Sequence, residues 1–253
     1  MPSTNIRLDN KVAIVTGASR GIGESIARAF AESGANVVLA SRKIDGVTKV
    51  AESIGPSAHA VAAHTGRQGD CVTLVQAAIE KFGKVDILVN NAATNPYFGP
   101  MIDIDEGAWD KTFEVNVKGY YWLIRELVTH LRAREAAGSI VNVASVSGLI
   151  AAPAQGVYAM TKASIISMTK TLAYELAANS IRVNAIAPGF VDTRFAATIL
   201  KNDMLLGEVL RMTPMNRYAQ PNEIAGGALY LASDASSYVT GHTLVIDGGM
   251  TIA

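Results

Sequence analysis

Short apolar, β-branched runs alternate with longer helical patterns from near the N-terminus to about residue 190. Runs such as VAIV, VVLA and DILV are continuously apolar. A strand buried on both faces needs that pattern, because crossover helices cover both sides of an all-parallel sheet. The pattern predicts strands over 11–16, 36–41, 58–64, 85–90, 139–144, 182–187 and 243–247. Between them it predicts helices over 21–33, 45–54, 70–82, 108–134, 157–179 and 222–232. Serial alternation of this kind is the signature of βαβ units, which places the chain in the α/β class with a parallel sheet.

No Pro/Gly/Ser-rich linker and no internal repeat divides the first 190 residues, so the reading is one domain over 1–253. The stretch 194–220 stands apart. Phe195, Met204, Leu205 and Leu206 lie there between Gly189 and Pro221 without a strand signal, as in a lid over a site or a peripheral helix pair.

Composition narrows the partners. Apolar residues make up 49% of the 253 and charged residues 17%, which excludes disorder. The 22 Lys and Arg balance the 22 Asp and Glu, and no basic block stands out, so neither nucleic acid nor an anionic membrane is expected as a partner. The single Cys71 forms no intramolecular disulfide, the start of the chain lacks the apolar core of a secretory signal, and no apolar run reaches roughly 18 residues. A cytoplasmic protein is expected. Histidines 59, 64, 130 and 242 lack metal-ligand spacing, and Asp103, Asp105 and Glu106 lack the full pattern of a calcium loop, so no metal centre is expected and the acids are read as helix-capping.

Chemistry first shows in TGASRGIG, directly after the first strand. Gly17, Gly21 and Gly23 permit a sharp turn and let a phosphate approach main-chain N–H groups at a helix N-terminus. The spacing is G-x3-G-x-G rather than the usual dinucleotide fingerprint. The second strand ends Ala40, Ser41, Arg42, Lys43, with no acid at its tip to hold a ribose 2′-OH. Arg20, Arg42 and Lys43 instead offer cations to a 2′-phosphate, which predicts NADP(H) in preference to NAD(H). The alternative is that Arg42 and Lys43 decorate a helix start and Asp45 turns in to the ribose.

Tyr158 and Lys162 are four apart in a helical pattern and share a face. A tyrosine, with a reference pKa of ~10, exchanges protons poorly at neutral pH unless its phenolate is stabilised, and a lysine ammonium beside it would do so. Ser145 ends the fifth strand, on the carboxyl edge where open α/β sheets bind ligands.

Taken together, TGASRGIG, NNA (90–92), Asn116, Ser145, YAMTK (158–162) and PGFVDT (188–193) resemble the short-chain dehydrogenase/reductase family across essentially the whole chain, up to VIDGGM. The resemblance implies a single Rossmann-type domain, a doubly wound sheet of about seven parallel strands with helices on both faces. It implies Tyr158 as general acid in reduction and general base in oxidation, and Ser145 as hydrogen-bond partner of the substrate oxygen. Lys162 would hold the nicotinamide ribose and tune Tyr158, and Asn116 would anchor a water in a relay to Lys162. Gly17, Ser19, Arg20, Gly21, Ile22 and Gly23 would line the phosphates and adenosine ribose, with Arg42 and Lys43 at the 2′-phosphate and Asn91, Ala92 and Ala93 under the second ribose. Pro188, Gly189, Val191 and Thr193 would cradle the nicotinamide, its carboxamide bonding to the Val191 backbone and the Thr193 side chain.

Two positions depart from the family pattern. Ala93 replaces the glycine of NNAG, and His64 and Thr65 stand where many members have Asp-Val to hold the adenine edge. The aromatic run Tyr120, Tyr121, Trp122 reads as an exposed patch on the 108–134 helix, which in the family builds a dimer with the 157–179 helix; the C-terminal strand completes a tetramer.

The resemblance implies an NADPH-dependent carbonyl reductase or alcohol dehydrogenase, with mostly apolar pocket walls from NPYFGP (95–100) and GLIAAP (148–153). A 3-oxoacyl-[acyl-carrier-protein] reductase is the alternative; it calls for a basic mouth, for which Arg125, Arg132, Arg134 and Lys170 are unclustered candidates. A non-catalytic NADP-binding regulator would show a broken proton-transfer set, and this one is intact.

Overall fold

All seven runs predicted as strands pair in a single parallel sheet of the computed structural model, which describes residues 6–196, 200 and 202–253. They are β1 (Val12–Thr16), β2 (Asn36–Ser41), β3 (Ala58–Ala62), β4 (Ile87–Asn90), β5 (Gly138–Val143), β6 (Ile181–Pro188) and β7 (Thr243–Ile246). Their order is β3-β2-β1-β4-β5-β6-β7. β4 returns to pair with β1 on the side away from β2, so the winding direction reverses between them. The crevice at the carboxyl ends of β1 and β4 is where such a sheet binds ligands.

The helices are α1 (Gly21–Glu32), α2 (Ile44–Ile54), α3 (Gln68–Phe82), α4 (Glu106–Phe113), α5 (Gly119–Ala133), α6 (Gly156–Leu176), α7 (Asp203–Arg211) and α8 (Pro221–Ala232). Successive strand residues face opposite ways, and the core divides accordingly. Ala13, Val15, Val37 and Leu39 pack with Phe30 of α1 and Ile224 of α8 on one face. Ile14, Val38, Leu88 and Ile140 pack with Leu74 of α3, Leu127 of α5 and Leu176 of α6 on the other. Two dry layers therefore hold the sheet rigid beneath its carboxyl edge.

The helix expected over 108–134 is broken. A π turn, Glu114–Lys118, separates α4 from α5. Asp105 caps α4, accepting from the Ala108 N–H at 2.9 Å. The aromatic run is not the exposed patch its sequence suggests, because the π turn re-aims it: Tyr120 is 1% exposed, Trp122 packs on the core, and Tyr121 alone faces solvent. Within 194–220 lie a 3-10 turn at Arg194–Ala196 and α7, capped by the Asn202 side chain; residues 197–199 and 201 fall outside the described ones. Among the described residues no helix is long and apolar enough to cross a membrane.

Candidate active site

Gly17 (φ +65°) and Gly21 (φ +60°) turn the chain from β1 into α1 in the left-handed region that disfavours a side chain. Space imposes a second constraint. A Cβ on Gly17 would lie 2.8 Å from Asn91 Nδ2, and one on Gly23 would lie 2.5 Å from the Gly17 carbonyl oxygen. The turn is thus pressed onto the end of β4. Thr16 locks the two together: its hydroxyl accepts from the N–H groups of Asn91 and Ala92 at 3.0 and 3.1 Å, while Asn91 Nδ2 donates to the Thr16 carbonyl at 2.8 Å. The Asn91 side chain is spent on shaping the turn. Arg20, extended at the N-cap of α1, places no side chain over the first-turn N–H groups.

The strand-end cations sit beside this turn. A Cβ on Gly46, in the first turn of α2, would meet Ser19 Cβ at 2.9 Å, so the start of α2 abuts the glycine-rich loop. Arg42 and Lys43, just before it, are exposed, as is Arg20, and among the described residues none of the three forms an ion pair. His64 and Thr65 follow β3. The His64 ring accepts from the Gly66 N–H at 3.1 Å, its Nε2 lies 3.1 Å from Lys111 Nζ, and burial with the Lys111 charge lowers its pKa.

Opposite, the segment after β6 closes the crevice. A Cβ on Gly189 would lie 2.7 Å from Asp247 Cα, and one on Gly21 would lie 3.2 Å from Thr193 Cγ2. Val191 bridges to Ala219 in parallel fashion through its neighbours: Asp192 N–H donates to the Ala219 carbonyl and Ala219 N–H to that of Phe190. In that pattern the Val191 N–H and C=O point away from Ala219.

The second half of the sheet contributes the titratable groups. Ser145 follows β5 and N-caps a 3-10 turn, Val146–Gly148; its Oγ accepts from the Ser147 N–H at 3.1 Å, which leaves the hydroxyl proton free to donate. Gly148 sets this turn directly on α6, since a Cβ there would lie 2.7 Å from the Lys162 carbonyl carbon. Tyr158 and Lys162 share the buried face of α6, with Lys162 Nζ 5.4 Å from the centre of the Tyr158 ring. Nζ donates to the Val143 carbonyl at 2.7 Å.

Burial dominates the electrostatics here. It raises the Tyr158 pKa, only partly countered by a hydrogen bond with Ser145, and pushes Lys162 down to about 7. The expected lowering of Tyr158 by the lysine is not what the protein groups alone produce: desolvation dominates, and the influence opposing it is that of Ser145. Asn116, in the π turn, is fully buried and fully committed: Oδ1 accepts from the Thr94 N–H at 2.8 Å, while Nδ2 donates to the Thr94 carbonyl at 3.0 Å and to Thr161 Oγ1 at 3.1 Å. Its side chain fixes the strand extension through Ala93 and Thr94 instead of reaching outward.

A family model described as enoyl-(acyl carrier protein) reductase matches residues 17–251. The rabbit (Oryctolagus cuniculus) dehydrogenase/reductase SDR family member 4 is 38% identical over 245 residues, covering 96% of this chain and 94% of the relative. The chain belongs to the short-chain dehydrogenase/reductase family. Among solved members, a gluconate 5-dehydrogenase from Burkholderia cenocepacia in complex with NADP and tartrate superposes with a TM-score of 0.93 at 31% identity, over 98% of each chain. A 3-ketoacyl-(acyl-carrier-protein) reductase from Brucella melitensis complexed with NADH superposes at 0.90 with 38% identity, over 96% of this chain and 99% of that one. As a short-chain dehydrogenase/reductase, the protein is an oxidoreductase.

The site residues named from the sequence gather along one carboxyl edge. Three further residues emerge only from the structure of this family member. Thr16 joins the glycine turn to β4, Gly148 lets the serine turn reach α6, and Tyr120 donates to the Val143 carbonyl that Lys162 also uses, at 3.2 Å. Thr16 and Gly148 stood within quoted motifs; nothing in the spacing of Tyr120 marked it.

Proposed function

We propose that this short-chain dehydrogenase/reductase uses NADP(H) to interconvert a ketone and a secondary alcohol, with Ser145, Tyr158, Lys162 and Asn116 as its proton-transfer set. The observation that carries the reading is Lys162 Nζ held 5.4 Å from the Tyr158 ring, one turn along α6, with Ser145 opposing the rise that burial causes in the Tyr158 pKa. The crevice fits the cofactor: the glycine turn cannot accept a Cβ at Gly17 or Gly23, the α1 N-terminus is uncapped by side chains, and three unpaired cations flank it. The Burkholderia relative's bound NADP supports the same choice.

Gly17, Ser19, Gly21, Ile22 and Gly23 would hold the pyrophosphate against the α1 N-terminus, and Arg20, Arg42 and Lys43 the 2′-phosphate. Ala92 and Ala93 would lie under the second ribose, with Pro188, Gly189, Val191 and Thr193 around the ring. A bound nicotinamide supplies or takes up the hydride.

The chain's own residues manage the proton. Ser145, its Oγ oriented by the Ser147 N–H, donates its hydroxyl proton in a hydrogen bond to the substrate carbonyl. Tyr158, kept protonated by burial, delivers its O–H proton to that oxygen in reduction and recovers it in oxidation. Lys162 spends one of three N–H donors on Val143 and keeps two for the ribose and the relay. Because the Asn116 amide is engaged, its part in the relay falls to its main-chain carbonyl.

The test is a panel of ketones, α-dicarbonyls, sugars and acyl thioesters assayed with NADPH and with NADH. Ketone reduction with NADPH preferred is expected. Turnover of acyl thioesters alone would move the protein to the 3-oxoacyl reductase reading, and preference for NADH would overturn the role given to Arg20 and Arg42.

A further inference from the structure

Val143, at the carboxyl end of β5, offers one carbonyl oxygen to two buried side chains. Lys162 Nζ donates to it at 2.7 Å from α6, and Tyr120 Oη donates at 3.2 Å from α5. Tyr120 is the largest fully buried side chain of the described residues, packed by Ala144, Ile165, Ile166 and Ala185. Its ring centre lies 5.5 Å from Nζ, nearly matching the 5.4 Å to Tyr158, so the lysine head lies close to two aromatic rings and against a carbonyl.

The π turn makes this possible. One extra residue in a helical turn rotates everything after it by about 100°. Asn116 thereby meets Thr161, and Tyr120, four residues on, meets the carbonyl that holds the neighbouring Lys162. Gly119 lets α5 begin against the Thr65 main chain, where a Cβ would collide with the Thr65 carbonyl oxygen.

We propose that Tyr120 is a positioning residue for Lys162, its hydroxyl sharing the Val143 carbonyl with the lysine head and its ring packed as near to Nζ as that of Tyr158. A carbonyl oxygen has two lone pairs, and two donors on it weaken each other. Tyr120 thus holds the lysine loosely enough for its remaining donors to serve the ribose and the relay. The groups facing Nζ are Tyr120 from α5, Tyr158 from α6 itself and the Val143 carbonyl from β5; the nearby Asn116 amide is engaged with Thr94 and Thr161, and among the described residues no carboxylate contributes.

The inference rests on the proton-transfer role proposed for Lys162, and its test separates the two. The full-length protein with 13Cε-labelled lysine is titrated by NMR without substrate, the Lys162 signal being assigned by its loss in Lys162→Met. Tyr120→Phe keeps the ring and removes the hydroxyl. It should raise the Lys162 midpoint by roughly half a pH unit, as expected for one neutral hydrogen bond. The alkaline limb of kcat/KM for NADPH should move with it, while the KM for ketone stays put. Tyr121→Phe, at the exposed neighbour, should shift neither. An unchanged Lys162 midpoint in Tyr120→Phe overturns the inference. Full activity in Lys162→Met overturns the catalytic reading instead, whatever the midpoint does.

Discussion

Phe195 lies against the ring of Tyr158, their centroids 5.4 Å apart and their planes tilted by 41°. Phe195 is 52% exposed and Tyr158 is buried, so the phenylalanine forms an accessible aromatic wall beside the proposed proton donor. A flat apolar substituent on a ketone would stack there. Phe195→Ala is expected to raise KM for aryl ketones roughly three- to tenfold, the worth of one aromatic pair. Small aliphatic ketones should change little. Equal effects on both, in steady-state assays, would show that Phe195 does not select substrate.

Tyr158→Phe should lower reductase kcat roughly 100- to 10,000-fold, the usual range for a positioned acid. Its affinity for NADPH, measured by fluorescence titration, should be kept. Turnover near that of the unmodified protein would remove Tyr158 from the chemistry.

The pH dependence has a definite sign. Lys162, lowered by burial to about 7, loses its charge as pH rises through that value, and with it a donor to the ribose. The kcat/KM for NADPH reports the free enzyme and is therefore expected to fall above about pH 7. In the mechanism proposed above, alcohol oxidation begins from the Tyr158 phenolate, whose formation burial opposes, so it should strengthen toward alkaline pH. Parallel profiles for the two directions would contradict this assignment.

The same lysine burdens the fold. Its ordinary value is 10.5, so between there and about 7 the unfolded chain binds more protons than the folded one, and stability rises with pH across that window. Below it the full burial penalty is present. Lys162→Met should accordingly raise Tm by several degrees near pH ~6, with a smaller gain near pH ~10. The Val143 carbonyl would keep its bond from Tyr120. Calorimetry showing a lower Tm at both values would refute the prediction.

Arg42→Ala should raise KM for NADPH roughly tenfold and leave that for NADH unchanged, as expected for one exposed charge-assisted contact. A common change in both would assign Arg42 to the helix start rather than to the 2′-phosphate.

Much of this was legible in the sequence, for physical reasons. VAIV and VVLA had to be buried strands, and a glycine triplet after the first of them had to be a turn. Tyr158 and Lys162 shared a face by simple helical arithmetic. The π turn was hidden because the apolar pattern over 108–134 keeps helical spacing on both sides of it; only the rotation between the two halves is new. That rotation turns Tyr120 inward, against the exposure its place in the aromatic run suggests. The strand expected over 58–64 stops at Ala62: the Ala63 N–H still reaches the carbonyl of Ser41, but Ser41 is the last residue of β2, and beyond it the ladder has no partner. The motif pattern points to Asn116 as a site residue, but spacing cannot reveal that its amide is used up on Thr94 and Thr161.

The acceptor shared by Lys162 and Tyr120 belongs to the main chain. Any side chain around it can be exchanged in a single mutational step, yet no codon change at position 143 deletes a carbonyl. Descendants of this sequence are free to lose the tyrosine, retune the lysine or alter the pocket, and the anchoring oxygen passes to each of them for as long as β5 keeps its course.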